Sequence, residues 1–111
     1  MLVEPHPVAN QPDSLPSEYC AERLKALSDP LRLRIVRCLR HGELTVSDIA
    51  LVLESEVVTV SHHLQTLKNA QLVSRRREGR FIYYRLPAGL STSRKTVQSL
   101  DLGCCKLAIP I

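Results

Sequence analysis

The stretch "TVSDIALVLESEVVTVSHHLQTLKN", residues 45–69, constrains the fold of this 111-residue chain more than any other. Val46, Ile49, Ala50 and Leu53 recur at the spacing of one helical face. Thr45 stands ahead of them as a cap, with Asp48 three residues on, a near relative of the capping box. After a break at residues 54–56, Val57, Val60, Leu64 and Leu67 make a second apolar stripe on a helix expected to end near Ala70. Two short helices, each apolar on one face and joined by a short turn, have the pattern of a helix-turn-helix. Past Leu72 the period changes. "LVSRRREGRFIYYRL" holds two strand-forming runs joined at Glu78-Gly79, where glycine supplies the positive φ of a tight hairpin. On the second run Phe81 and Tyr83 point one way, and Ile82, Tyr84 and Leu86 the other. The expected fold is mainly α with a small β-hairpin, a winged helix-turn-helix.

Upstream, a helix is expected over residues 17–27, with Tyr19, Ala26 and Leu27 among its apolar positions. "SDP" follows: Asp29 caps the next helix and Pro30 takes its first position, where no backbone donor is needed. That helix should run to His41 and stop at Gly42. Four of the seven prolines fall among the first seventeen residues, so residues 1–17 read as a flexible arm. Residues 18–86 form the expected winged domain, with a single modest core. Residues 87–111 form a tail that would serve dimerisation or sensing. Within it "LSTSRKTVQSLDLG" reads as a short helix with Val97 and Leu100 in register, and "CCKLAIPI" as extended.

The net charge of +4 is concentrated rather than spread. Residues 57–86 carry six basic side chains against one acidic, while the remainder carries nine basic and ten acidic. Such a local basic patch fits a phosphate backbone or an acidic surface. No apolar run approaches the roughly 18 residues of a membrane span, and the start lacks the pattern of a leader, so a cytoplasmic protein without membrane contact is expected. No nucleophile with a base partner, phosphate-cradling glycine loop or carboxylate pair is visible, which argues against an enzyme.

"LSDPLRLRIVRCLRHGELTVSDIA" followed by "VTVSHHLQTLKNAQLVSRRREGRFIYYRL" resembles the ArsR/SmtB family of winged helix-turn-helix repressors over roughly residues 20–86. The resemblance implies a homodimeric, cytoplasmic repressor that leaves its double-stranded DNA operator when a ligand binds, often a soft metal ion or a thiol-reactive species. Several residues depart from that pattern. Thr45 and Ser47 stand where the family's arsenic sensors carry Cys-x-Cys. Glu56 and Val57 replace polar residues at the start of the recognition helix. No long amphipathic helix is legible after Leu90.

If the second helix is the recognition helix, its core stripe leaves Thr59, Ser61, His62, His63, Gln65, Thr66 and Lys68 on the other faces. Thr59, Ser61, His62 and His63, nearest the N-terminus, are expected at base edges or phosphates, and Gln65 and Lys68 nearer the backbone. His62 and His63 are about 100° apart on a helix and cannot share one ion. Around the hairpin, Arg75, Arg77 and Arg80 are expected on phosphates or in the minor groove, with Arg76 on the opposite face from Arg75 and Arg77. Two blander readings stand beside these: a solvated helix face, and a hairpin edge kept positive against aggregation. The alternative function is a winged-helix module whose basic wing binds an acidic protein surface.

Four cysteines in a cytoplasmic chain are expected to be mostly reduced, and none has CxxC spacing. Cys38 falls among Ile35, Val36 and Leu39 and reads as a core residue. Cys104 and Cys105 are adjacent, about 3.8 Å apart at Cα, too close for an unstrained bridge. In a regular strand they would also face opposite ways, and Gly103 makes a departure from the strand cheap. In the resembled family the first helix and the C-terminal segment lie together at the dimer interface. That would bring Cys20 to Cys104 and Cys105, within one subunit or across two, as a thiolate set for a soft metal or arsenite-like metalloid. Oxidation sensing and an incidental role are the competing readings. No obligatory cofactor is expected.

Overall fold

Local start and stop signals delimit the helices of the computed structural model, which describes residues 17–111. The expected arm, residues 1–17, lies outside them except for Ser17. Helix α1 spans Ser17–Leu27 and buries Ala26 and Leu27. Helix α2 spans Pro30–Cys38 and then tightens into a 3₁₀ turn, Leu39–His41, which ends at Gly42 with φ +139°. Asp29 caps α2: its Oδ1 accepts hydrogen bonds from the backbone N–H of Leu31 (2.9 Å) and Arg32 (3.1 Å). The Arg32 amide bond is the main reason that the carboxyl titrates below its ordinary value. Folding therefore favours the carboxylate over the acid. Its stabilisation is present above the ordinary pKa and is lost as the pH falls through the lowered one. Asp29→Ala is expected to cost about 1 kcal/mol at neutral pH. In urea unfolding, the gap between variant and parent should close in acid.

Strand β1, Leu44–Thr45, leads into α3, Val46–Leu53, where Thr45 Oγ1 accepts from the Asp48 amide at 3.2 Å. Helix α4 spans Val57–Asn69. Ile49, Ala50 and Leu53 of α3 and Val60, Leu64 and Leu67 of α4 are buried as the stripes require. Val57 departs from its stripe and is 45% exposed. It lies about 60° round the helix from Val60, at the rim of the apolar face.

The hairpin pairs β2, Ser74–Glu78, with β3, Phe81–Arg85, around a two-residue turn in which Gly79 has φ +62°. β1 adds to the far side of β3, giving the order β1-β3-β2. Phe81 and Tyr83 share a face, their rings 6.5 Å apart.

The tail corrects the expected helix. β4 (Ser91–Arg94), β5 (Val97–Asp101) and β6 (Lys106–Pro110) form a second antiparallel sheet in that order. Along β5 the buried positions are Gln98 and Leu100, while Val97, Ser99 and Asp101 are exposed. Gln98 is fully buried, and its Nε2 donates to the Val36 carbonyl (3.3 Å) and to Ser91 Oγ (3.0 Å). Leu90, Leu100 and Leu102 join the same core as Ile35, Ile49, Leu64 and Leu72, so the second sheet completes the helical core. No helix among the described residues is long and apolar enough to cross a membrane.

Candidate nucleic-acid interface and thiol cluster

The outer face of α4 and the wing carry the residues expected to meet DNA. Thr59, Ser61, His62 and Gln65 are exposed, and His63 and Lys68 are half-buried. His63 is turned inward, its Nδ1 3.1 Å from Arg32 Nη1 at the start of α2. Gln65 Nε2 donates along the helix to Asn69 Oδ1 at 2.9 Å, and Thr66 Oγ1 donates to the His62 carbonyl at 3.3 Å.

The wing separates its arginines by the alternation of β2. Arg76 is committed within the protein. Its guanidinium donates to Glu43 and to Glu78, each at 2.8 Å, and lies 4.8 Å from the centre of the Tyr83 ring. The Arg76 bond pulls the Glu43 carboxyl below its ordinary pKa and holds the guanidinium protonated. Arg75, Arg77 and Arg80 are exposed and have no hydrogen-bond or ion-pair partner among the described residues. Three cationic side chains are thus left at the hairpin for an external anion.

Three sulfurs from the two ends of the described chain converge. Cys20 of α1, Cys104 and Cys105 place their Sγ atoms within 4.8 Å of one another, all half-buried. Cys20 and Cys104 are joined by a disulfide across 84 residues of sequence, with Cα atoms 5.9 Å apart. That separation lies inside the range a bridge spans. The expectation of a mostly reduced chain is therefore corrected: two of the four cysteines are bridged, and Cys38 and Cys105 are free. Cys105 Sγ lies 4.0 Å from Cys104 Sγ.

The turn between β5 and β6 makes this convergence. Gly103 has φ +90°, its amide donates to Asp101 Oδ1 at 2.9 Å, and the Leu102 amide donates to the Cys105 carbonyl at 2.9 Å. Cys104 and Cys105 therefore sit in a turn and not in a strand, which frees them from the alternation that would part them. Cys38 is apart from this cluster and packs against the core, where burial pushes its thiol pKa up.

Sequence reading overlooked Arg23. It is 9% exposed, and it spans from α1 to the cysteine turn and to the end of α4. Nη1 donates to the Leu102 carbonyl at 3.0 Å, Nη2 to Gln71 Oε1 at 3.4 Å, and the guanidinium lies 4.7 Å from the Tyr19 ring centre. Tyr19 and Arg23 at i and i+4 were a legible signal for the stack, but nothing local announced the carbonyl 79 residues away.

Four helices, two of them a helix-turn-helix pair, with a basic hairpin and its short third strand define a winged helix-turn-helix protein. The profile of bacterial regulatory proteins of the arsR family matches residues 29–75. The chain is 46% identical over 67 residues to a cadmium resistance transcriptional regulatory protein CadC homolog of Staphylococcus aureus, covering 60% of this chain and 55% of that protein. It is 45% identical over 62 residues to the transcriptional repressor SdpR of Bacillus subtilis, covering 56% of this chain and 69% of that one. The homodimeric winged helix-turn-helix DNA-binding domain Mb0332 of Mycobacterium bovis superposes with a TM-score of 0.61 at 40% identity, over 62% of this chain and 64% of that one. The chain belongs to the ArsR/SmtB family. It spans little more than half the length of the first of these relatives.

Proposed function

We propose that the chain is a cytoplasmic transcriptional repressor that binds operator DNA as a homodimer and is released by a soft metal or metalloid ion held by Cys20, Cys104 and Cys105. The observation that carries the switch is the convergence of three sulfurs from both ends of the described chain. DNA binding is supported by the exposed polar residues of α4 and the three unpaired wing arginines. Relatives named as a transcriptional repressor, a cadmium resistance regulator and a homodimeric DNA-binding domain favour the same reading.

Soft thiolate ligands select soft ions, and three of them suit trivalent arsenic or cadmium. The bridge must first be opened. A thiol reductant delivers two electrons and two protons to the Cys20–Cys104 bond, giving two thiols beside Cys105. All three lose their protons on binding an ion. Arg23 then offers a route to the DNA face, because one guanidinium holds both the turn before Cys104 and Gln71 just beyond α4. The disulfide itself favours a second reading, release by oxidation. There a peroxide takes two electrons and two protons from Cys20 and Cys104 and leaves as water.

Duplex binding across a salt series tests the DNA-binding half. Affinity should fall steeply with salt, and Arg75→Ala, Arg77→Ala and Arg80→Ala should each reduce the slope of log affinity against log salt by about 1. Arg76→Ala should leave that slope near the parent's, since its charge is already paired. An absence of duplex affinity at low salt would sink the reading and favour a protein-binding wing.

A further inference from the structure

Helix α4 starts with two side chains that a solvated helix face does not ordinarily carry. Val57 is 45% exposed and Val58 64%. Ahead of them Glu56 occupies the N-cap without making a side-chain capping bond. Val58 shares its face with Ser61, His62 and Gln65, at i+3, i+4 and i+7, while Val60, Leu64 and Leu67 face the core. The valine therefore stands at the leading end of the polar face.

In a helix-turn-helix the leading residues of this helix reach base edges in the major groove. Valine methyls neither donate nor accept hydrogen bonds. Among the groups displayed there, the thymine C5-methyl is the apolar one. The Glu56 carboxylate is repelled by phosphates, which keeps this turn off the DNA backbone and leaves the attraction to the wing arginines. Two valines are also a small patch for a protein partner, since stable interfaces bury about 800 Å² on each side.

We infer that Val58, with Val57 beside it, reads a thymine methyl in each operator half-site. The inference rests on the DNA-binding reading above and adds to it a chemical identity for one base. Val58 is exposed and alanine is a good helix former, so Val58→Ala does not endanger the fold.

The test selects duplexes from a randomised library with the full chain at low salt. The selected duplex is then rebuilt with deoxyuridine in place of each thymidine, one at a time, which removes only the methyl. One thymine per half-site should lose about fourfold in affinity for the parent protein, the worth of one buried methyl. Val58→Ala should discriminate between the two duplexes less than the parent does, since alanine reaches less far and only Val57 remains beside it. A parent that binds the selected duplex but ignores every such replacement overturns the inference and leaves DNA binding standing. So does a Val58→Ala variant that discriminates as the parent does. A library from which nothing is retained overturns the DNA-binding reading, and this inference with it.

Discussion

Leu100→Ala and Leu102→Ala are each expected to destabilise the whole domain by about 2–5 kcal/mol. Both leucines are fully buried, and both belong to the core that also holds Ile35, Ile49, Leu64 and Leu67 of the helices. Each truncation removes apolar contacts and leaves a void in that shared core. A domain of this size has only about 5–15 kcal/mol in hand, so the double variant should approach complete unfolding. Urea unfolding followed through the helical signal checks this. A single shifted transition is expected. If the helices melt at the parent's midpoint while the second sheet is lost, the sheet is an appendage and not part of the core.

The second large effect is expected at the thiol cluster. In reduced protein, Cys105→Ser should weaken binding of cadmium or arsenite by about 100-fold or more, because even a residue that only supports a ligand is worth about 10–100-fold. Oxidised protein should bind neither ion, since the Cys20–Cys104 bridge leaves one free sulfur in the cluster. Reductant should restore binding. Ultraviolet absorbance of the ion–thiolate bond reads both effects. Cys38→Ser should change neither, because its sulfur lies outside the cluster. Equal affinity in Cys105→Ser and the parent would remove Cys105 from the site.

The helix-turn-helix was legible because its signals are local. Asp29-Pro30, Thr45 with Asp48, and the i, i+3, i+4 stripes act within a few residues, and the glycine at 79 fixes the hairpin. The second sheet was not legible, for a physical reason found in β5. Its buried side chains are Gln98 and Leu100, and its exposed ones include Val97. A buried polar residue whose Nε2 is held by Val36 and Ser91, beside a valine turned to solvent, hides the strand alternation. What remains visible is Val97 and Leu100 at i and i+3, the spacing of a helix. Likewise, the meeting of Cys20 with Cys104 depends on the β5–β6 turn lying against α1, and the Arg23 bridge on the same contact. No window along the chain contains that information; the family resemblance supplied it for the cysteines and was silent on Arg23.

The proposal that the thiol cluster controls DNA binding is tested most directly by titrating arsenite and cadmium into reduced protein bound to a labelled operator duplex. Half-release near one ion per subunit is expected, with no release in the Cys104→Ser/Cys105→Ser variant at the same DNA affinity. Release that is identical in parent and variant, or a parent that binds the ion through its thiols and stays on the duplex, would contradict it.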